Sequence, residues 1–134
     1  MRTIHILFYA LIATMAVFSM SACKKNKETP KSVEITITSP TAGSMFHLGD
    51  TVAIHAHVKA NFELHGWEVV IKKVANGQVV FMAEDHVHAE EFHIDTFWIN
   101  NVTEHSDMEL LVSALIDHDG NKETQVVAFH CHPM

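Results

Sequence analysis

An all-β sandwich of two sheets and about seven strands is the fold this sequence predicts, on three observations. From residue 33 onward apolar and polar side chains alternate with period two, which places them on opposite faces of a strand. Turn-forming Gly, Pro, Asn and Asp recur at a spacing of roughly ten residues, as they do in sandwiches and barrels. No segment beyond that point carries an apolar stripe at helical spacing.

The elements follow in order. Val33-Glu34-Ile35-Thr36-Ile37-Thr38 is β-branched and alternating. Ser39-Pro40-Thr41-Ala42-Gly43 ends it, because proline lacks the N–H that a ladder needs. Thr51 to Lys59 sends Val52, Ile54, Ala56 and Val58 to one face and Ala53, His55, His57 and Lys59 to the other. Gly66 to Lys73 turns Trp67, Val69 and Ile71 one way. Ala75-Asn76-Gly77-Gln78 signals a hairpin, with Val79 to Met82 as its second arm. Phe92, Ile94, Thr96 and Trp98 share a face, with His93 and Asp95 opposite. Met108 to Ile116 is a continuous apolar run in which alternation does not mark an inward face. Asp117-His118-Asp119-Gly120-Asn121 is a turn, and Gln125 to His132 is the last strand. Trp67, Phe92, Trp98 and Phe129 are expected in the core.

Ser39-Pro40-x-x-Gly43 after the first strand, Gly49-Asp50-Thr51-Val52 opening the second and Asp117-x-x-Gly120-Asn121 before the last resemble the turns of bacterial immunoglobulin-like modules. The resemblance covers residues 33 to 130. It implies an immunoglobulin-like sandwich and no particular activity, since that fold hosts many functions.

Before the domain the chain has a different character. Arg2 is followed by uncharged residues as far as Lys24, with an apolar stretch over Ile6 to Phe18 and small residues around Ser21-Ala22. Basic start, apolar middle and small-residue exit form the layout of a secretory signal. Met20-Ser21-Ala22-Cys23 resembles the lipobox of bacterial lipoproteins, with Met20 where Leu is usual. The resemblance implies cleavage before Cys23 and lipidation of its thiol. An uncleaved span over Thr3 to Ala22 is the alternative, being just long enough to cross hydrocarbon. The cysteine and the Lys-rich tether behind it favour the lipoprotein. The expected organisation is signal peptide over 1–22, lipidated Cys23 and flexible tether over 23–32, and sandwich over 33–134. The location implied is the cell envelope, on the periplasmic or surface face of a bacterial membrane.

Composition narrows the partners. A net charge of −7, carried by 16 acidic residues against 9 basic ones, argues against nucleic acid. It suits attraction of cations. With Cys23 taken by lipid, Cys131 has no intramolecular disulfide partner, and the core must hold the domain unaided.

The chemistry-bearing residues are histidines. There are 12 in the chain, and all but His5 lie in the domain. His55/His57, His86/His88 and His130/His132 form three His-x-His pairs where chance gives roughly one. Residues i and i+2 of a strand share a face, and imidazole is the commonest metal ligand. Aligning the strand ends pairs Ala60 with Glu90, so that His57 faces His93 and His55 faces Asp95. The expected metal site draws on His55, His57, His86, His88 and His93, with Asp95 as ligand or supporting carboxylate. In a sandwich, the connections after residues 59, 82 and 116 meet at one end. That end would gather His65, His86, His88 and His118, with Asp85 and Asp119. A second cluster is expected at His130, Cys131 and His132, with His47 and His105 nearby. There Cys131 joins the histidines only if the strand frays.

Enzyme signatures are weak. His86-Val87-His88-Ala89-Glu90 superficially resembles the opening of a metallo-β-lactamase motif, and His-x-His also opens the cupin motif, but the remaining ligand spacings of both families are missing. The helix-borne zinc motif and the nucleophile elbow are missing too. The sequence therefore predicts a non-enzymatic envelope lipoprotein that binds zinc or copper for capture, buffering or hand-over. Its partners would be the ion, the membrane through its anchor, and an envelope protein. The alternative is a structural or interaction module that contacts protein or glycan, with the histidines as a solvated face.

Overall fold

A computed structural model describes residues 29–133. The segment expected to be a signal peptide, the expected lipidation site at Cys23, and Met134 lie outside the described residues. Eight strands form two sheets: β1 (Val33–Ser39), β2 (Met45–His47), β3 (Thr51–Leu64), β4 (Gly66–Lys73), β5 (Val79–Asp85), β6 (Ala89–Ile99), β7 (Ser106–Leu115) and β8 (Lys122–His132). One sheet runs β1-β3-β6 and the other β2-β8-β7-β4-β5. This is an immunoglobulin-like two-sheet sandwich. All neighbouring strands are antiparallel except β2, which pairs parallel with β8.

The expected inward faces are the buried ones. On β3, Val52, Ile54 and Val58 are fully buried, as are Val69 and Ile71 of β4 in the other sheet. Ile94, Trp98 and Phe129 complete the aromatic and branched part of the core. Burying each of the larger side chains contributes about 1.5–3 kcal/mol. Within the apolar run that alternation left ambiguous, Met108, Leu110, Val112 and Ala114 are the ones that face inward. The cause of the ambiguity is on the opposite face. Met82, Val70, Leu111 and Val126 are register partners across four adjacent strands, so β7 is flanked by apolar neighbours there too.

Two differences from the sequence reading matter for the site. A short strand, β2, lies between the Ser39–Gly43 turn and the second expected strand, where the sequence marked no element, and it lays Met45, Phe46 and His47 beside His130, Cys131 and His132. Asn100, buried to 1% exposure, explains why it stays there. Its side-chain Nδ2 donates to the carbonyls of Phe46 (3.3 Å) and His47 (3.0 Å), and its Oδ1 accepts from the Val102 N–H (3.0 Å). The second difference is length: β3 continues through Leu64 past a register shift after Lys59, carrying its end out to His65.

Candidate metal centre

The structure sorts the histidines into three groups. The first is built at the end of β8. Phe129 and Cys131 point into the core, so period two turns His130 and His132 to the outer surface. Antiparallel pairing sets Asp107 of β7 directly opposite His130, and β2 sets His47 beside His132. His105 precedes β7 by one residue and folds over the same patch. Its ring stacks on His132 at 4.4 Å between centroids and stands 6.5 Å from His130.

Asp107 Oδ1 lies 2.8 Å from His130 Nδ1. One ligand atom from each of His105, Asp107 and His130 falls within 4.8 Å of the others, the one such triad among the described residues. Two geometries are chemically sensible. Asp107 can ligate directly, or it can hold the His130 Nδ1–H and free Nε2 for an ion. Either leaves the outer coordination positions open to solvent, as expected of a site that exchanges its ion. A depression of about 340 Å³, lined by Lys73, Asn76, Glu104, His105 and Asp107, opens beside the group.

Cys131 does not belong to this set. It is fully buried, and burial pushes its thiol from an ordinary 9.0 up to about 11. A protonated thiol on the core side of the strand is neither placed nor charged to ligate. The structure therefore does not bring His130, Cys131 and His132 to one point: strand parity turns the two histidines outward and the cysteine inward, and the trio could share an ion only if the strand frayed. Asp107 and His105 are the side chains that lie beside His130 on the outer surface. His105 was expected near this end. Asp107 was missed, since only the β7–β8 register, unmarked in the apolar run, reveals that it faces His130.

The second group lies on the outer face of the three-stranded sheet. His57 pairs with His93 and His55 with Asp95, as aligning the strand ends predicts. The His57 and His93 rings stack at 4.6 Å. His55 Nδ1 contacts Asp95 Oδ1 at 2.7 Å, and His57 Nε2 contacts Glu91 Oε1 at 2.8 Å. Each histidine of the pair is thus matched to its own carboxylate rather than aimed at a shared point.

The third group takes His86 and His88 away from the second. They sit in the β5–β6 connection, beyond Ala89, which pairs with Leu64 at the far end of β3. Four residues of strand separate Ala89 from His93, about 13 Å. The single site expected from His55, His57, His86, His88, His93 and Asp95 is therefore divided in two. At the end of the sandwich His86 and His88 meet His65 and His118 instead, as the loop argument anticipated. Asp117, beside them, is occupied: it accepts from the Asp119 and Asn121 N–H groups and from the Asn121 side chain. That side-chain bond from Asn121, helped by the backbone N–H groups of Asn121 and Asp119, holds its carboxyl below the ordinary value.

The described residues thus form an immunoglobulin-like sandwich with histidine groups at both ends and on one outer face. No protein-family model matches the chain, and no curated protein matches it. Three solved structures are similar in outline. One comprises the fibronectin(III)-like modules of CbhA from Clostridium thermocellum, at 18% identity and a TM-score of 0.48, covering 75% of this chain and 98% of that one. Another is a β-glucosidase from Listeria innocua in complex with glucose, at 10% identity and 0.48, covering 80% of this chain but 17% of the other. The third is the CARDB domain of PF1109 from Pyrococcus furiosus in complex with di-metal ions, at 14% identity and 0.40, covering 77% and 94%. At these levels of similarity none of them bears on function.

Proposed function

We propose that this chain is an envelope lipoprotein whose sandwich captures a divalent transition metal, zinc or copper, at the β8 end. Lipid on Cys23 would hold it to a bacterial membrane, with residues 23–32 as the tether. The observation that carries the reading is the triad of His105, Asp107 and His130, with ligand atoms inside 4.8 Å. His132 stacked on His105 offers a further imidazole. Imidazole with one carboxylate suits zinc and copper, and the exposure of the group suits capture and hand-over more than permanent storage. No catalytic step is assigned to it.

The test is titration of zinc or copper into the full-length chain in detergent, compared with His105→Ala/His130→Ala. The double variant is expected to lose affinity at least tenfold while keeping its far-UV spectrum; an unchanged affinity would refute this placement. Cys23→Ser should move the protein out of the membrane fraction, and its retention there would refute the lipid anchor.

One observation favours a second reading. The row of Met82, Val70, Leu111 and Val126 leaves Met82 and Val126 about half exposed on the outer sheet face. Such a row suits contact with an envelope protein, with or without metal.

A further inference from the structure

We propose a second metal site at the opposite end of the sandwich, in which His65, His86, His88 and His118 take one divalent transition ion through imidazole nitrogens alone. The proposal extends the reading above to a second ion and stands on separate residues.

The four rings form a closed circuit. His65 lies 4.4 Å from His118 and 5.0 Å from His88, centre to centre, and His86 lies 6.3 Å from each of His88 and His118. With Zn–N bonds of about 2.0–2.1 Å, rings sharing one tetrahedral ion have centres about 5 Å apart. The observed separations bracket that value. In the described rotamers the nitrogens do not gather as they do at the β8 end, so binding requires rotamer changes that also draw His86 closer to its two neighbours. His86, His88 and His118 are exposed, and exposed side chains change rotamer within nanoseconds.

Three connections, each from a different part of the chain, bring the rings together. His65 is fixed by its N–H, which donates to the Leu115 carbonyl at 2.8 Å. That bond ties the β3–β4 corner to the end of β7, two residues before the turn that carries His118. Gly66 then lets the corner approach β5. Its φ is +144°, and a Cβ there would overlap the Asp85 carbonyl oxygen and lie 3.2 Å from the His86 Cα. Any other residue would push the β5–β6 connection, with His86 and His88, away from His65.

Two polar details point toward a ligand. His65 Nδ1 is buried with no hydrogen-bond partner among the described residues, and buried polar atoms are nearly always satisfied. A metal ion would supply that partner. His88 Nδ1 lies 3.5 Å from Glu63 Oε1, a carboxylate placed to orient the ring while Nε2 turns to the ion. Asp117 is fully engaged by its own turn, so the donor set is neutral. A neutral all-imidazole set favours zinc or copper over magnesium or calcium, which take oxygen ligands.

The test uses the full-length chain in detergent, with Cu(II) alone and Zn(II) alone as probes. The starting point is the His105→Ala/His130→Ala variant, which leaves the loop end intact. It is expected to bind one copper per chain with several nitrogens in the electron paramagnetic resonance spectrum. Adding His65→Ala and His118→Ala should weaken that binding at least about tenfold. Because His65 is partly buried, His86→Ala/His88→Ala provides a second route through exposed residues, with the same loss expected. Unchanged affinity in both sets would overturn the proposal. If His105→Ala/His130→Ala binds as the wild type does, the β8 site fails while this one stands.

Discussion

Replacing Gly66 by alanine tests how the fold makes the histidine circuit. Two costs are expected. At φ +144° an L-residue is strained, by about 1–3 kcal/mol. The new methyl also overlaps the Asp85 carbonyl, and forcing extra volume into a packed contact costs about 1–3 kcal/mol. Together these predict a loss of about 4 kcal/mol, which in a domain of this size lowers Tm by about 15–30 °C. Gly77→Ala is the control, since Gly77 also has positive φ (+72°) but nothing within 4 Å of a Cβ. Its cost should be about 1–2 kcal/mol, from conformation alone. Urea denaturation of both variants in the same buffer gives the comparison. If Gly66→Ala were within about 1 kcal/mol of Gly77→Ala, the close approach of β4 to β5 would contribute little, and the argument for how His65 meets His86 would fail.

Asn100→Ala removes two donors and an acceptor that hold β2 against the β6–β7 connection, at about 1 kcal/mol per bond. We expect a loss of about 2–4 kcal/mol in chemical denaturation, with weaker metal binding at the β8 end because His47 and His105 loosen together. The Cys131 thiol, raised to about 11, should resist alkylation at pH 8 until the protein unfolds. Its shift also has a stability sign. The stabilisation relative to the unfolded thiol is complete below pH 9.0 and is lost as pH rises toward about 11. Cys131→Ala should flatten this part of the stability–pH curve, and an unaltered slope would contradict it. Metal binding should weaken as pH falls from about 7.5 to about 5.5, because protonated imidazole cannot ligate; pH-independent affinity over that interval would argue against histidine ligands.

Much of the fold was legible because alternation is a local signal. Val52, Ile54, Ala56 and Val58 announced an inward face, and strand parity alone separated His130 and His132 from Cys131. The β3–β6 register was also readable, since both strands have distinct ends to align. The β7–β8 register was not, because the run from Met108 carries Leu111 and Leu115 on the same face as Glu109 and Ser113, which blurs its alternation, and Leu111 meets apolar Val70 and Val126 across the sheet. Without that register Asp107 could not be placed against His130. β2 escaped for another reason: three residues are too few to show a period, and the buried Asn100 that holds them is more than fifty residues away. The division of the expected six-residue site follows from the same scale problem. His86 and His93 are close in sequence, but a strand carries them apart by about 3.3 Å per residue.

The most direct measurement of the central claim is metal retention by the full-length chain, purified without a histidine tag. The protein would be equilibrated with limiting zinc or copper, desalted and assayed for bound metal. Near-stoichiometric retention with Kd below about 1 μM is expected at the β8 end, so that His105→Ala/His130→Ala retains one ion per chain fewer than the wild type. Weak uptake that desalting removes, equal in wild type and variant, would contradict it and leave the histidines as a solvated surface.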